Sequence, residues 1–183
     1  ALMRLSNIKP LSALAAFYVW VIRGTPLIVQ LFIIFYGLPK IGIVYSPFVS
    51  AILGLTISQG AYNSEVIRAA LLSISKGQWE ATKSLGMNKR MTLAYIIVPQ
   101  AALVAVPSLG NSFISLLKDT SLVATLTVAE VFQIGQQIVA VTYEPLWLYI
   151  EVGFIYLLFS TALTYLQAYM EGRLGKHIVA QKS

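Results

Sequence analysis

The sequence predicts an all-helical integral membrane protein. Only 11% of its 183 residues are charged, where a soluble domain carries about 25%. Apolar runs of the roughly 20 residues needed to cross a bilayer recur along the chain. Positive charge gathers in alternate connections, as it does in cytoplasmic loops. The mean hydropathy is +0.75. There is no cysteine, so neither a disulfide framework nor a thiolate metal site is available. The single histidine, His177, falls in a basic tail and reads as solvated. The net charge of +6 is accounted for by cytoplasmic loops and does not call for nucleic acid.

The elements follow in order. Residues 1–6 lack the apolar core and cleavage region of a signal peptide and read as the end of a helix that began earlier. Arg4 to Pro10 is a polar connection. Phe17 to Leu38 is a first span of 22 residues with one charge, Arg23, its first turns loosened by Gly24 and Pro26. Pro39 to Pro47 is a turn-rich loop carrying Lys40. A second span runs from Phe48 to Tyr62, and its helix continues through Asn63, Glu65 and Arg68 towards Ser73. After a polar island, Met91 to Leu117 is a third span of 27 residues without a charge, where Pro99 and Pro107 should introduce bends. Thr120 to Tyr143 holds Glu130 and several hydroxyl and amide side chains, so it is expected to be an interfacial or re-entrant helix packed on protein. Pro145 to Met170 is the last span, with Glu151 its only charge.

Four spans place Arg4, Lys9, Arg68, Lys76, Lys83, Lys89, Arg90, Arg173, Lys176 and Lys182 on one side and only Lys40 and Lys118 in loops on the other. Both ends of the chain are therefore expected in the cytoplasm. The whole of 1–183 reads as one transmembrane domain.

The polar island, residues 75–90, is written as a short helix. Ser75 with Gln78 fits a capping box, and Ile74 with Trp79 fits the hydrophobic staple around it. Gly86 is placed to end the helix in a left-handed turn, and Asn88 to cap the next one at Lys89. About ten residues make a helix too short to stand alone and too polar for lipid, which points to a docking element for a partner.

Glu80-Ala81-Thr82, three residues, Gly86, nine residues, Ile96, one residue and Val98-Pro99 resemble the EAA loop of ABC-importer permeases, with Thr82 for an alanine and Val98 for a leucine. Arg23-Gly24-Thr25-Pro26-Leu27 with Gln30-Leu31, Ala61-Tyr62 with Ser64-Glu65 and Arg68, and Asn111-Ser112 through Leu116 to Leu122 are similar to segments of the polar amino-acid branch, the histidine, glutamine and arginine permeases. The resemblance implies the type I importer transmembrane fold, with one more helix before the region that begins here. It also implies a prokaryotic inner-membrane subunit working with a second permease, two ATP-binding subunits and an extracytoplasmic amino-acid-binding protein. The loop would be a coupling helix, and Trp79, Glu80, Ala81, Leu85 and Gly86 its ATPase contact. Lys118-Asp119, at the outer end of a span, is either a hydrated helix end or a contact for the outer gate or the binding protein.

Two polar faces bear on a path. Thr56, Gln59 and Asn63 share one helix face, and Ser108, Asn111, Ser112 and Ser115 share another. Such faces turn inward in lipid, either to bond between helices or to line a substrate path. Glu65 and Arg68, at i and i+3, can pair. Arg23 reads as a snorkelling or carbonyl-capping residue. Glu151 lies in the last span without an arginine or lysine at matching depth, so either a cationic substrate is its partner, or it sits at the wet outer interface near Tyr149 or is kept protonated and bonded to a neighbour. The substrate-binding set is then Glu151, Asn111, Ser115, Gln59 and Asn63. A neutral amino acid such as glutamine, held through Asn111 and Ser115, is the alternative.

No Gly-x4-Gly-Lys-Ser/Thr occurs, so ATP and magnesium are expected on the partner ATPase and no cofactor on this chain. Nor does the sequence offer a Ser/His/Asp set, a carboxylate pair or a metal cluster. The expected function is the non-enzymatic permease subunit of an ATP-driven importer of polar, basic amino acids, switching by alternating access. An ion-coupled secondary transporter is the rival, and it would need no docking helix.

Overall fold

The structure is a computed structural model that describes residues 1–179, with side chains through Arg173. Lys176, His177 and Lys182 of the basic tail lie outside the described side chains. The elements are helical throughout: α1 (Lys9–Gly24), α2 (Leu27–Phe32), α3 (Pro47–Ser73), α4 (Lys76–Ser84), α5 (Lys89–Met91), α6 (Val98–Asp119), α7 (Val131–Thr142) and α8 (Pro145–Val179).

The first span departs from expectation. It is not one helix over Phe17–Leu38: α1 ends at Gly24, and the chain from Leu27 to Ile41 leaves it at a bend of 106°. The cause is local. Pro26 has no N–H to continue the ladder, and the residue before a proline is pushed out of the helical region; Thr25 accordingly has φ −118° and ψ 144°. Gln30 braces the bend, its Nε2 donating to the carbonyls of Ile22 (2.7 Å) and Thr25 (3.1 Å). Beyond α2 a π-helical turn, Ile33–Gly37, and a 3₁₀ turn, Leu38–Ile41, lead to Gly42, whose φ of 86° reverses the chain.

Helix α3 begins where Ser46 accepts a bond from the Val49 N–H and Pro47 takes the first helical position, where its missing N–H is no loss. Its 27 residues reach about 40 Å. It is less apolar than the two helices that satisfy both length and hydropathy for a crossing, Lys89–Leu126 and Pro145–Arg173. The polar face is the reason. In the first of those two, a π-helical stretch, Thr92–Ile97, runs into Pro99, and Pro107 lies inside α6 without ending it.

The segment 120–143 is not one helix. Thr120–Leu126 prolongs α6 as a 3₁₀ turn, Thr127 turns the chain at φ 60°, and Glu130 caps α7 by accepting from the N–H groups of Phe132 and Gln133. The 12 residues of α7 extend about 18 Å, too little to cross a bilayer. The Tyr156 hydroxyl on α8 donates to the same Glu130 carboxylate at 2.6 Å, and Phe132 stacks on Tyr149, so α7 is fastened along α8.

Small residues let the helices close up. Ala70, Ala101 and Ala105 form one buried cluster between α3 and α6. Leu31, Ala51, Val123 and Leu126 form another, where α2, α3 and the 3₁₀ turn after α6 meet. Gly54 makes room for Leu31, and Gly135 for Val152. Much of the remaining apolar surface, Trp20 and Phe154 for example, faces outward, as lipid or a neighbouring membrane subunit requires.

Candidate functional site

The two polar faces do meet. A cavity of about 470 Å³ opens between α3 and α6, with the bend after α1 at its edge. From α3 come Ser58, Gln59 and Tyr62; from α6, Ser108, Asn111, Ser112, Ser115 and Asp119; from the bend, Thr25 and Leu27. The α6 residues form one stripe at three- and four-residue spacing. Asp119 extends that stripe a turn beyond Ser115 and brings a carboxylate to its end, while Lys118 points away and is exposed. Arg23 does not cap a carbonyl; its guanidinium lies over the Tyr62 ring, 5.2 Å from the centroid, a cation–π contact behind the cavity wall. A cavity of this size and hydroxyl-and-amide lining suits a small polar solute.

Of the residues expected to bind substrate, Gln59, Asn111 and Ser115 line this cavity. Asn63 lies one turn further along α3, its Oδ1 buried without a partner. Glu151 is exposed on α8, away from the cavity lining. Thr56, which helical spacing placed on the polar face, is exposed and outside the lining, and Ser58 lines the wall instead. Ser58 and Tyr62 were missed by the sequence reading, and Asp119, expected only as an outer-gate or binding-protein contact, also lines the cavity. Asp119 had a signal, since it continues the spacing of Ser108 to Ser115.

The docking loop is built largely as its sequence spells it. Gly86 has φ 73°; its N–H donates to the Lys83 carbonyl and the Met87 N–H to the Thr82 carbonyl, both at 3.0 Å. That bond pair is a Schellman motif. Asn88 Oδ1 accepts from the Met91 N–H at 2.9 Å and starts α5. The capping box does not form. Ser75 makes no side-chain cap bond, and the Gln78 side chain does not turn back to Ser75 but accepts from Gln100 Nε2 on α6 at 3.4 Å. Thr82 is buried, and its hydroxyl is satisfied by the Trp79 carbonyl at 3.0 Å, so it serves where an alanine would. Trp79 is half-buried, whereas Glu80, Ala81, Leu85 and Gly86 are exposed. Leu85, at 79% exposure, presents an apolar side chain with nothing among the described residues to cover it. At the base of α3, Glu65 pairs with both Arg68 and Arg4, tying the first residues to the helix that leads into the loop.

A family described as "Binding-protein-dependent transport system inner membrane component" matches residues 1–176. The chain belongs to this family. It is 46% identical over 179 residues to the L-cystine transport system permease protein TcyB of Bacillus subtilis (strain 168), covering 97% of this chain and 76% of that protein. Against the glutamine transport system permease protein GlnP of Escherichia coli (strain K12) it is 37% identical over 162 residues, 87% of this chain and 74% of that one. A crystal structure of an amino acid ABC transporter with histidines superposes with a TM-score of 0.89 at 38% identity, over 94% of this chain and 80% of its counterpart. The fold is therefore the type I importer transmembrane fold, and the chain is a membrane-spanning ABC transporter permease subunit.

Proposed function

We propose that this chain carries polar, basic L-amino acids inward as the permease of an ATP-driven importer, working by alternating access. The observation that carries the reading is the polar cavity between α3 and α6 in a protein with many large apolar side chains facing outward. The amino-acid permeases among its relatives support an amino-acid substrate. The hydroxyl and amide groups of Gln59, Asn111 and Ser115 would hold the substrate, with Asn63 and Glu151 completing the set. Glu151 makes no ion pair among the described residues, and a carboxylate at that depth costs roughly 2.5–3.5 kcal/mol to insert. A guanidinium or ammonium group would offset that cost. Asp119 and Lys118 would form the outer gate or the binding-protein contact.

The other end of the mechanism is α4. Two copies of an ATP-binding subunit would seat Trp79, Glu80, Ala81, Leu85 and Gly86, and would bind ATP and magnesium themselves. ATP that binds the closed ATPase pair better than the open one shifts the transporter towards its outward-open state by that difference in affinity. A second permease copy, identical or related, and an extracytoplasmic amino-acid-binding protein complete the assembly. Both ends of this chain would face the cytoplasm.

A neutral substrate is the second reading, favoured by a cavity wall that is uncharged apart from Asp119. Uptake of arginine, glutamine and cystine by the reconstituted complex, with and without ATP, decides between them. Uptake driven by an ion gradient without the ATPase would replace the importer reading with a secondary transporter.

A further inference from the structure

One side chain outside the cavity determines how the cavity wall is wired. Gln167 on α8 reaches across to α6 through the space left by Gly110; a Cβ on Gly110 would lie 2.6 Å from the Gln167 Cδ. Its two N–H groups are shared among three acceptors, the Glu171 carboxylate at 2.7 Å, the Pro107 carbonyl at 3.0 Å and, in the longest and bifurcated bond, Asn111 Oδ1 at 3.3 Å. The first two partners can only accept, so the nitrogen end of the Gln167 amide has to face them. The two ends of an amide are told apart by such partners. With the Gln167 nitrogen fixed, Asn111 has to turn its oxygen to α8, and its NH2 group is left for the cavity that Asn111 lines.

We propose that Gln167 is a positioning residue that sets the Asn111 amide with its N–H groups towards the cavity, so that Asn111 binds an oxygen acceptor, the α-carboxylate of the carried amino acid. This rests on the transport reading above. A flipped Asn111 would present a carbonyl oxygen to a carboxylate, and the two would repel. The cavity would then bind the carboxylate at one wall, leaving the cationic end of the substrate for Asp119, the one carboxylate among the described residues of its lining.

The test is ligand binding to the purified permease–ATPase complex, without the binding protein, using L-arginine, L-glutamine and L-cystine as probes and L-argininamide as the analogue lacking the carboxylate. Gln167→Leu, Asn111→Ala and the double variant form a cycle. Each single variant should weaken binding of the best probe about tenfold, the size of one charge-assisted hydrogen bond. The double variant should bind no worse than Asn111→Ala, because Gln167 acts only through Asn111. Gln167→Leu should also narrow the preference for arginine over argininamide. Gly110→Ala, which displaces Gln167 without deleting it, should do the same and gives the answer if Gln167→Leu does not assemble. A double variant weakened by the product of the singles, or an unchanged preference over the amide, would overturn the proposal and leave a packing role. Wild-type affinity in Asn111→Ala overturns it too, while the transport reading stands. A wild-type complex that neither binds nor takes up any probe overturns both.

Discussion

Gly86 offers the sharpest handle on coupling, because its replacement perturbs one dihedral angle and nothing else. Its φ is 73°, and a Cβ added there would meet no atom within 4 Å. Valine at this position therefore causes no clash, and its cost is conformational. An L-residue held in the left-handed region costs about 1–2 kcal/mol, more when β-branched. The two Schellman bonds, Gly86 to Lys83 and Met87 to Thr82, are what that conformation secures. Helix α4 has only nine residues and no stability of its own to spare, so 1–2 kcal/mol lowers the population of the capped form by a factor of about 5–30. If the ATPase binds only the capped form, its affinity falls by the same factor. The assay is titration of the ATPase subunit onto the permease in lipid nanodiscs. Gly86→Val should weaken binding about tenfold, and Gly86→Asn should weaken it less, since asparagine tolerates the left-handed region. Gly77→Ala in the first turn, also free of any neighbour within 4 Å, should leave binding unchanged or tighten it. Wild-type affinity in Gly86→Val would refute the reasoning.

Other outcomes are expected as follows. Glu151→Gln should selectively reduce arginine uptake relative to glutamine uptake in the reconstituted complex; equal effects on both, or none, would remove Glu151 from the site. Gly54→Ala should lower stability by about 1–3 kcal/mol through overpacking, since the new Cβ would lie 2.6 Å from the Leu31 Cδ2; thermal unfolding of the purified complex measures it, and an unchanged midpoint would show that α2 yields freely. The intact complex should contain two permease chains by native mass measurement, because one chain leaves its cavity open along a side; a single permease per assembly would contradict this.

Legibility varied with the range of the interaction. The turn at Gly86 and the cap at Asn88 are decided within four residues, so they could be read directly from the sequence. The stripes on α3 and α6 follow from helical spacing, and their meeting follows from the need to hide polar faces from lipid. The bend at Thr25–Pro26 escaped because hydropathy averages across it, although the proline itself marked a weakened ladder. The capping box failed for a tertiary reason: Gln100, 22 residues onward, competes for Gln78. Glu130 was read as one of the polar groups that set 120–143 apart from the spans, and it is the cap of α7 and an anchor for Tyr156. Gln167 carries no local signal at all, since its role depends on a glycine and an asparagine more than fifty residues earlier.

The bend that Gln30 braces has a mechanical consequence. At a break in a helix, backbone carbonyls lose their partners, and such a point ordinarily works as a joint. Here one buried amide ties the Ile22 and Thr25 carbonyls together from inside the angle, like a gusset plate in a frame. A corner stiffened in this way transmits torque instead of absorbing it. Displacement of α1 is then delivered, turned through 106°, to α2 and the Leu31 cluster. The compliance needed for a transport cycle has to lie elsewhere. Spin labels at Leu14 and Ile41 should keep their separation throughout that cycle.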